Sequence, residues 1–227
     1  MKPARVVEAV LLDLDGTLLD HRAAARVAFS GACRHWVPAA AVGEALEFWR
    51  SLEKVHMQRY LAGELSFAEQ RRARMRDFLT AYGAAVDHLD EKFAIYLGEY
   101  ERAWRPFEDV AEVVPKLGRA AVLSNGDRAQ QRAKMVRLEL DSRMPLLVPA
   151  DVGAAKPAAA SFLGACGRLG WDPTRVLYVG DDLATDAEAA AAAGLVGCWL
   201  DRDGSEEAAR PEVTVIHSLR ELPALIS

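Results

Sequence analysis

Two carboxylates stand two residues apart in the segment Asp13-Leu14-Asp15-Gly16-Thr17, directly after the apolar run Val10-Leu11-Leu12. The apolar run predicts a buried strand, so both carboxylates would lie where that strand ends and the chain turns. Burying two carboxylates side by side is costly unless a cation or a shared proton offsets their repulsion. The pair therefore indicates chemistry, in which one acid attacks a substrate, its neighbour transfers a proton, and a metal holds the charge.

Polar residues follow three other predicted strands in the same way. Ser124-Asn125-Gly126 follows one apolar run, and Lys156-Pro157 follows a weaker one and is predicted to open a helix. Gly180-Asp181-Asp182 follows a third run, with Asp186 in the next helical turn. Ligands bind at the carboxyl ends of the strands in an open parallel sheet. One edge of the sheet should therefore gather six side chains: Asp13, Asp15, Ser124, Lys156, Asp181 and Asp186.

Each motif also has an ordinary structural explanation. Asp15-Gly16 fits a simple turn, and Ser124-Asn125-Gly126-Asp127 fits a loop that ends in a helix cap. Lys156 fits a surface lysine, while Asp181 and Asp186 fit acids that favour a helix N-terminus. These explanations do not account for four such motifs at successive strand ends, so a shared active site is favoured.

Short apolar runs with β-branched residues predict the strands that place these motifs. They are Val6 to Leu12, Ala120 to Leu123, Leu146 to Val148, Val176 to Val179, Val196 to Leu200 and Val213 to Ile216. From Ala120 onward, helix-like segments separate the strands, which indicates a parallel sheet with helices on both faces. The predicted fold class is therefore α/β, with a doubly wound, Rossmann-like parallel sheet.

The stretch that follows the first motif interrupts this alternation, because it contains no convincing strand. Its apolar residues recur at helical spacing and predict helices near 21–36, 41–61, 67–82 and 88–104. Ser66-Phe67-Ala68-Glu69 is a capping box that would open the third helix, and Gly83 can end it. The predicted organisation is an α/β catalytic core of residues 1–19 and 106–227, into which an all-helical domain of residues 20–105 is inserted.

Composition narrows the classes of partner and compartment. The 227 residues include 33 acidic and 28 basic ones, for a net charge of -5, and the lack of a long basic run disfavours nucleic acid as a partner. Cys33, Cys166 and Cys198 are far apart and odd in number, which fits reduced thiols in a protein core. Neither a signal peptide nor an apolar run of about 18 residues is expected, so a cytoplasmic protein without a membrane span is predicted.

Together, the four motifs resemble the haloacid dehalogenase (HAD) superfamily of phosphotransferases. The resemblance rests on an ordered series: Asp13-Leu14-Asp15-Gly16-Thr17, Ser124-Asn125-Gly126, Lys156-Pro157 and Gly180-Asp181-Asp182-Leu183-Ala184-Thr185-Asp186. One motif alone is weak, but four in order, each after a predicted strand, are specific. The helical insertion is similar to the helical cap of that superfamily, in the type related to phosphoglycolate phosphatase.

The resemblance implies a role for each motif. Asp13 would attack phosphorus and form an aspartyl phosphate, and Asp15 would act as general acid and then as general base. Ser124, with the backbone amides near Asn125 and Gly126, would bind the phosphoryl oxygens. Lys156 would neutralise both the nucleophile and the transferred group.

The resemblance also implies Mg²⁺ as the cofactor, since this ion prefers oxygen ligands and often keeps a substrate phosphate in its shell. Asp13 and Asp181 would bind it together with the backbone carbonyl of Asp15, and Asp186 would bind it directly or through water. The role of Asp182 stays open between the metal and one of its supporting groups.

Within the superfamily, Asp15 favours oxygen-linked phosphate esters, because the dehalogenases and the phosphonate hydrolases differ at that position. A phosphatase is therefore predicted. A phosphomutase keeps the same core residues and stays an alternative, although its usual first motif differs from Gly16-Thr17. A non-catalytic phospho-acceptor or binding protein, similar to a receiver domain, is a further alternative, but receiver domains are shorter and lack a helical insertion.

The expected substrate is a small phosphorylated metabolite, because a cap of this size would exclude water and bulky protein substrates when it closes. Arg22 lies just after the first motif and is the cap residue proposed to bind the substrate, with a solvated helix face as its alternative. The aromatic residues of the insertion fit a core better than a recognition surface. The sequence predicts neither the particular ester nor the oligomeric state.

Overall fold

The computed structural model describes residues 6–37, 42–205 and 211–226. Two expectations fall outside this range, because the signal-peptide prediction concerns residues 1–5 and the second predicted helix begins at residue 41. The chain divides into two units, Met1–Asp20 with Arg105–Ser227 and, inserted between them, His21–Trp104. All the described strands lie in the first unit, called here the α/β unit, and the second is called the helical unit.

The apolar runs of the α/β unit form one parallel sheet of six strands in the order β3-β2-β1-β4-β5-β6. The strands are β1 Ala9–Leu12, β2 Ala120–Leu123, β3 Leu146–Leu147, β4 Val176–Gly180, β5 Val196–Leu200 and β6 Thr214–Ile216. The order reverses between β1 and β4, which confirms the predicted doubly wound α/β fold. Such folds bind ligands beyond the carboxyl ends of the strands at the point of reversal.

The strand boundaries differ from the prediction at four places. β1 begins at Ala9 rather than Val6, because Ala9 pairs with Val176, the first residue of the neighbouring β4. The other three differences are of one residue each: β3 ends at Leu147, β4 ends at Gly180, and β6 begins at Thr214.

In its described residues, the helical unit contains α1 His21–Cys33, α2 Val42–Leu61, α3 Phe67–Ala81 and α4 Leu89–Arg102. The predicted capping box of α3 is confirmed, since the Glu69 N–H donates to Ser66 Oγ and the Ser66 N–H donates to Glu69 Oε2. Phe29, Trp49 and Phe78 are buried, with ring centroids 5.3 to 5.9 Å apart. These aromatic side chains therefore form a core, as predicted.

The described residues of the α/β unit also contain five α-helices: α5 Val110–Val113, α6 Arg128–Arg137, α7 Pro149–Val152, α8 Ala159–Leu169 and α9 Ala189–Ala192. A π-helical turn, Leu183–Glu188, directly precedes α9. The prediction that Lys156-Pro157 opens a helix is wrong, because α8 begins at Ala159. The backbone N–H and C=O of Lys156 both bond to the side-chain amide of Asn125, so this peptide is held outside the helix.

A hydrophobic cluster joins the centre of the sheet to α8. It contains Leu11 of β1, Leu123 of β2, Tyr178 of β4 and Phe162 of α8, all buried. The rings of Phe162 and Tyr178 meet edge to face, with centroids 4.9 Å apart. This packing fixes the ring of Tyr178, whose hydroxyl group reaches the polar edge described below.

The three cysteines, Cys33, Cys166 and Cys198, are buried and form no disulfide, which agrees with their predicted place in the core. Burial raises the pKa of Cys198 to about 12 and that of Cys166 to about 11. Both groups therefore stay protonated at neutral pH, whereas a nucleophilic cysteine reacts as the thiolate. In the part of the chain that the structure describes, no helix combines the length and the apolar character needed to cross a bilayer.

Candidate active site

Lys156 lies at the centre of a buried polar network at the carboxyl edge of the sheet. Its Nζ is 2.7 Å from Asp13 Oδ1, 2.7 Å from Asp186 Oδ1 and 2.7 Å from the hydroxyl oxygen of Tyr178. These three acceptors match the three N–H donors of an ammonium group. All four residues are buried, so the explanation of Lys156 as a surface lysine is wrong.

Each member of this network is positioned by a different element. Asp13 follows β1, and its backbone N–H donates to the carbonyl of Val179 at 2.8 Å, which continues the β1–β4 pairing. Tyr178 belongs to β4, and Asp186 lies in the π-helical turn that follows that strand. The Asn125 side chain holds Lys156 through both of its backbone polar groups, each at 2.8 Å. Three strand ends thus meet at one point.

Three carboxylates come together at this edge. One oxygen from each of Asp13, Asp181 and Asp186 lies within 4.8 Å of the others. Gly16 allows this approach, because its φ of +89° suits glycine and a Cβ at this position would overlap the Asp181 carboxylate. Clustered carboxylate oxygens are the donor set that a hard divalent cation such as Mg²⁺ prefers, so the residues present fit that ion.

The electrostatics of the cluster favour an added cation. Burial, supported by Asp186 and Asp181, raises the pKa of Asp13 to about 8, although Lys156 acts in the opposite direction. Burial alone would lower the pKa of Lys156, but Asp13 and Asp186 outweigh it and raise that pKa well above its usual value. Lys156 thus contacts two of the three clustered carboxylates, and the third, Asp181, also raises the pKa of Asp13, so a further cation would stabilise the cluster in its ionised form.

Asp15 takes part in a second network, formed with the helix that follows β2. Lys134 Nζ lies 2.7 Å from both Asp15 Oδ1 and Asp15 Oδ2, and Gln131 Nε2 donates to Asp15 Oδ2 at 2.7 Å. The same Nε2 lies 2.6 Å from the hydroxyl oxygen of Ser124. Gln131 thus joins the second carboxylate of the first motif to the hydroxyl group of the second motif.

The neighbouring residues of the second motif, Ser124-Asn125-Gly126, make different contacts. Ser124 is buried directly after β2, and its backbone N–H donates to the Leu147 carbonyl at 3.1 Å. Asn125 anchors Lys156, as described above, and Gly126 leaves room for Gln131, whose side chain a Cβ would overlap. The helix-cap explanation also holds, because Asp127 accepts hydrogen bonds from the first turn of α6.

Two further residues that the sequence singled out are Asp182 and Arg22. Asp182 is exposed, and its carboxylate caps the π-helical turn by accepting the Thr185 N–H at 2.7 Å. Arg22 is exposed on α1 of the helical unit, and its role toward a substrate stays a prediction.

Three residues of these networks lie outside the four sequence motifs: Gln131, Lys134 and Tyr178. Gln131 and Lys134 had a usable signal, because they share the i, i+3, i+4, i+7 stripe of α6 with Met135 and Leu138, and such a stripe faces the protein interior. Polar residues in that stripe indicate buried partners. Tyr178 had no comparable signal, since a tyrosine within an apolar strand is ordinary core composition.

Comparisons with known proteins show which family and which proteins the chain is similar to. Residues 7–194 match the haloacid dehalogenase-like hydrolase family. N-acylneuraminate-9-phosphatase of Rattus norvegicus is 32% identical over 126 residues, which are 52% of this chain and 51% of that protein. The chain therefore matches only about half the length of that relative.

Two further similarities extend over nearly the whole chain. Glyceraldehyde 3-phosphate phosphatase of Methanopyrus kandleri is 28% identical over 203 residues, covering 87% of this chain and 85% of that protein. The crystal structure of the HAD hydrolase YfnB from Bacillus subtilis has a TM-score of 0.79 at 21% identity, covering 98% of this chain and 99% of that one. At this identity, the structural likeness concerns the fold.

Proposed function

This chain belongs to the haloacid dehalogenase-like hydrolase family, and on that premise we propose that it hydrolyses a small phosphate monoester through an aspartyl phosphate on Asp13. The observation that carries the proposal is the arrangement around this carboxylate. Lys156 bonds to Asp13, two further carboxylates lie within 4.8 Å of it, and a second acid follows two residues later. Groups suited to act as a nucleophile, a charge-neutralising cation, a metal-binding set and a proton-transfer group thus support the proposal from one sheet edge.

The proposed first step forms a bond between an oxygen of Asp13 and the phosphorus atom and breaks the bond from phosphorus to the ester oxygen. Asp15 gives a proton to the departing alkoxide, which leaves as an alcohol. Lys156 holds the carboxylate of Asp13 and offsets the negative charge of the transferred group, while the hydroxyl group of Ser124 donates to a phosphoryl oxygen. The phosphoryl group is then bound to Asp13 as a mixed anhydride.

The proposed second step regenerates the carboxylate. A water molecule attacks the phosphorus atom, Asp15 takes the proton that the water releases, and the bond between phosphorus and the Asp13 oxygen breaks. Inorganic phosphate leaves, and Asp13 returns to its starting state. Two easier displacements thereby replace one difficult hydrolysis.

The group proposed to complete the site is Mg²⁺, held by Asp13, Asp181 and Asp186 together with the backbone carbonyl of Asp15. When bound, this ion supplies positive charge that neutralises the phosphate oxygens and aligns them for displacement. The chain's own contribution is the negative excess that attracts the ion, since Lys156 offsets only part of the charge of these carboxylates.

The proposed substrate class is a small phosphorylated metabolite. Its support is that the relatives described above are named for the hydrolysis of phosphate esters of a sugar acid and of a triose. We place substrate discrimination in the helical unit, with Arg22 as the residue proposed to meet an anionic or hydroxyl group of the substrate. The buried, unpaired cysteines support a reducing compartment such as the cytoplasm.

The experiment that tests this function measures phosphate release from a panel of sugar phosphates, triose phosphates and nucleoside monophosphates, with Mg²⁺ and with a chelator. Wild-type protein is compared with Asp13→Asn, which keeps the shape of the side chain and removes the nucleophile. We expect metal-dependent release that is lost in the variant. A folded wild-type protein that releases phosphate from no member of the panel, or a variant with unchanged activity, would contradict the proposal.

A further inference from the structure

Two polar side chains on α6 lie inside the protein without belonging to any of the four motifs. Gln131 is 1% exposed and Lys134 is 3% exposed. They are three residues apart on one helix and therefore project from the same face. Burying an ammonium group is costly unless a buried or partly buried anion compensates it, so the partner of Lys134 explains its place in the fold.

That partner is Asp15, whose two carboxylate oxygens are both contacted by Lys134 Nζ at 2.7 Å. The Asp15 side chain remains 27% exposed, so it is not fully enclosed by the α6 residues that hold it. The ion pair and the hydrogen bond from Gln131 limit rotation of the carboxylate about its Cβ–Cγ bond. The group proposed to exchange protons with the substrate is thus held in one orientation, as efficient proton transfer requires.

Gln131 connects this carboxylate to the phosphate-binding motif. Its Nε2 carries two hydrogens, and the two contacts, 2.7 Å to Asp15 and 2.6 Å to Ser124, use both of them. Ser124 Oγ therefore accepts a hydrogen bond from the amide. The hydroxyl proton of Ser124 is consequently left to be donated elsewhere, as a phosphoryl oxygen would require.

The backbone around α6 is adapted to this arrangement. Gly126 leaves the space that the Gln131 side chain occupies, because a Cβ there would overlap the amide. Asp127 begins α6 by accepting the N–H groups of Ala129 at 3.0 Å and Gln130 at 3.1 Å. The start of the helix is fixed in this way, and with it the depth at which Gln131 and Lys134 enter the site.

We propose that Gln131 and Lys134 are positioning residues, which orient the Asp15 carboxylate for proton transfer to the leaving group and direct the Ser124 hydroxyl toward the phosphoryl group. The proposal rests on the proposed function, because it needs Asp15 to act on a leaving alkoxide. It adds two residues outside the four motifs to the machinery of the reaction. Neither touches the reacting atoms, so each acts through a neighbour.

The test compares two substrates of nearly the same shape that differ in their need for a proton. The phenolate that leaves phenyl phosphate needs protonation far more than the p-nitrophenolate that leaves p-nitrophenyl phosphate. The value of kcat/KM reports the steps up to formation of the aspartyl phosphate, in which this difference is expressed. It is measured with Mg²⁺ for wild-type protein, Asp15→Asn, Lys134→Met, Lys134→Arg and Gln131→Met.

For Lys134→Met we expect kcat/KM to fall by about 100-fold with phenyl phosphate and by less than about 5-fold with p-nitrophenyl phosphate. General acid catalysis contributes a factor of about 100 or more to the rate when the leaving group needs a proton. Lys134→Arg should recover most of the loss, since its guanidinium group restores the positive charge and can donate to both oxygens of the Asp15 carboxylate. Gln131→Met should show the same selectivity in a milder form and should also weaken inhibition by inorganic phosphate. Lys116→Met, an exposed lysine paired with Glu112 at 3.6 Å, is the matched control.

The outcomes separate this proposal from the function on which it rests. If wild-type protein hydrolyses neither substrate, or if Asp15→Asn loses both equally, the proposed function or the role of Asp15 fails. If Asp15→Asn lowers kcat/KM mainly for phenyl phosphate but folded Lys134→Met lowers kcat/KM equally for both substrates, Lys134 is structural and the positioning proposal is overturned. A rise in turnover in Lys134→Met would also overturn it, because Lys134 would then restrain Asp15 in an inactive state.

Discussion

Both units of this protein bury charged side chains, but the two clusters differ in their balance of charge. In the α/β unit, one ammonium group, Lys156, contacts Asp13 and Asp186 while Asp181 lies close by. In the helical unit, the buried guanidinium group of Arg74 lies 2.9 Å from Glu53 Oε1, and its central carbon lies 3.9 Å from the centroid of the Trp49 ring. The first is rich in carboxylates and is called here the carboxylate-rich cluster, and the second, in which Arg74 pairs with Glu53, is called the paired cluster.

The paired cluster of the helical unit stabilises its carboxylate in the ionised form. Burial alone would raise the pKa of Glu53, but Arg74 and His21 outweigh this effect and hold that pKa well below its usual value. His21 Nδ1 in turn lies 2.5 Å from the hydroxyl oxygen of Tyr100, which connects α1 to α4. Asp13 shows the opposite, with its pKa raised to about 8.

The balance of buried charge differs between a structural cluster and a candidate active site. Charges that serve packing are matched, so that each carboxylate is stabilised in its ionised form. Charges that serve chemistry are left in excess, so that a metal ion and a substrate can complete them. Substitutions in the two clusters should therefore have opposite consequences for activity and stability.

The largest effect is expected from Asp13→Asn, which should lower kcat/KM by about 10³-fold or more while leaving the melting temperature unchanged or higher. The variant removes one of the crowded carboxylates, and Lys156 keeps Asp186 and Tyr178 as partners. Phosphate release and thermal unfolding of the same preparation give both quantities. Asp141→Asn makes the same change at an exposed position and should alter neither. A clear fall in the melting temperature of Asp13→Asn would show that this carboxylate also serves stability, and the contrast would be lost.

The next effect concerns the paired cluster. Arg74→Met should lower the free energy of unfolding by roughly 2 to 3 kcal/mol, because it leaves Glu53 without its main partner and removes the stacking on Trp49. Arg72→Met is the matched control on the same helix, since the Arg72 and Asp90 side chains are 45% and 66% exposed, and solvent screening should make its effect on the free energy of unfolding much smaller than that of Arg74→Met. Urea unfolding monitored by circular dichroism measures both. Equal costs for the two variants would contradict the assignment of the Arg74 pair to the scaffold.

The carboxylate-rich cluster could be predicted from the sequence better than the paired cluster. Asp13 and Asp181 each directly follow a strand, and Lys156 follows β3 after the short helix α7. Local apolar runs and the geometry of a parallel sheet are enough to bring them to one edge. The sheet and its catalytic edge follow from these short-range signals. Arg74 and Glu53 lie 21 residues apart on two helices, and no local pattern indicates which charged residue of one amphipathic helix meets which residue of the next.

The same limit explains why Gln131 and Lys134 were missed. Their contacts with Asp15 span 116 and 119 residues of the chain, and their partner is set by the depth at which α6 packs on the sheet. A lysine on a helix is usually solvated, so its residue type indicates exposure. Only its position in the stripe of Met135 and Leu138 indicated burial.

A smaller effect is expected from Mg²⁺, which should stabilise wild-type protein by about 1.4 kcal/mol at ten times its Kd if it binds only the folded state. The ion would relieve the repulsion among Asp13, Asp181 and Asp186, so Asp181→Asn and Asp186→Asn should each weaken the stabilisation. Glu53→Gln, in the paired cluster, should leave it unchanged. Thermal unfolding across a Mg²⁺ titration measures the effect, and an equal loss in Glu53→Gln would show that the ion acts elsewhere.

The smallest effect concerns acid stability of the paired cluster. The folded-state pKa of Glu53 lies well below its unfolded value of about 4.3, so the folded state holds the ionised form more tightly. This contribution is present in full above the unfolded pKa and is lost progressively as the pH falls below it toward the folded pKa. The melting temperature should therefore fall further between pH 6 and about pH 3 in wild-type protein than in Glu53→Gln, whose side chain binds no proton in this range. Arg74 and His21 face position 53 in both proteins, and the other carboxylates are common to both, so the difference reports on the charge at this position. Parallel losses in the two proteins would mean that Glu53 is not held as an ion, and the matched charge of the helical unit would no longer distinguish it from the site.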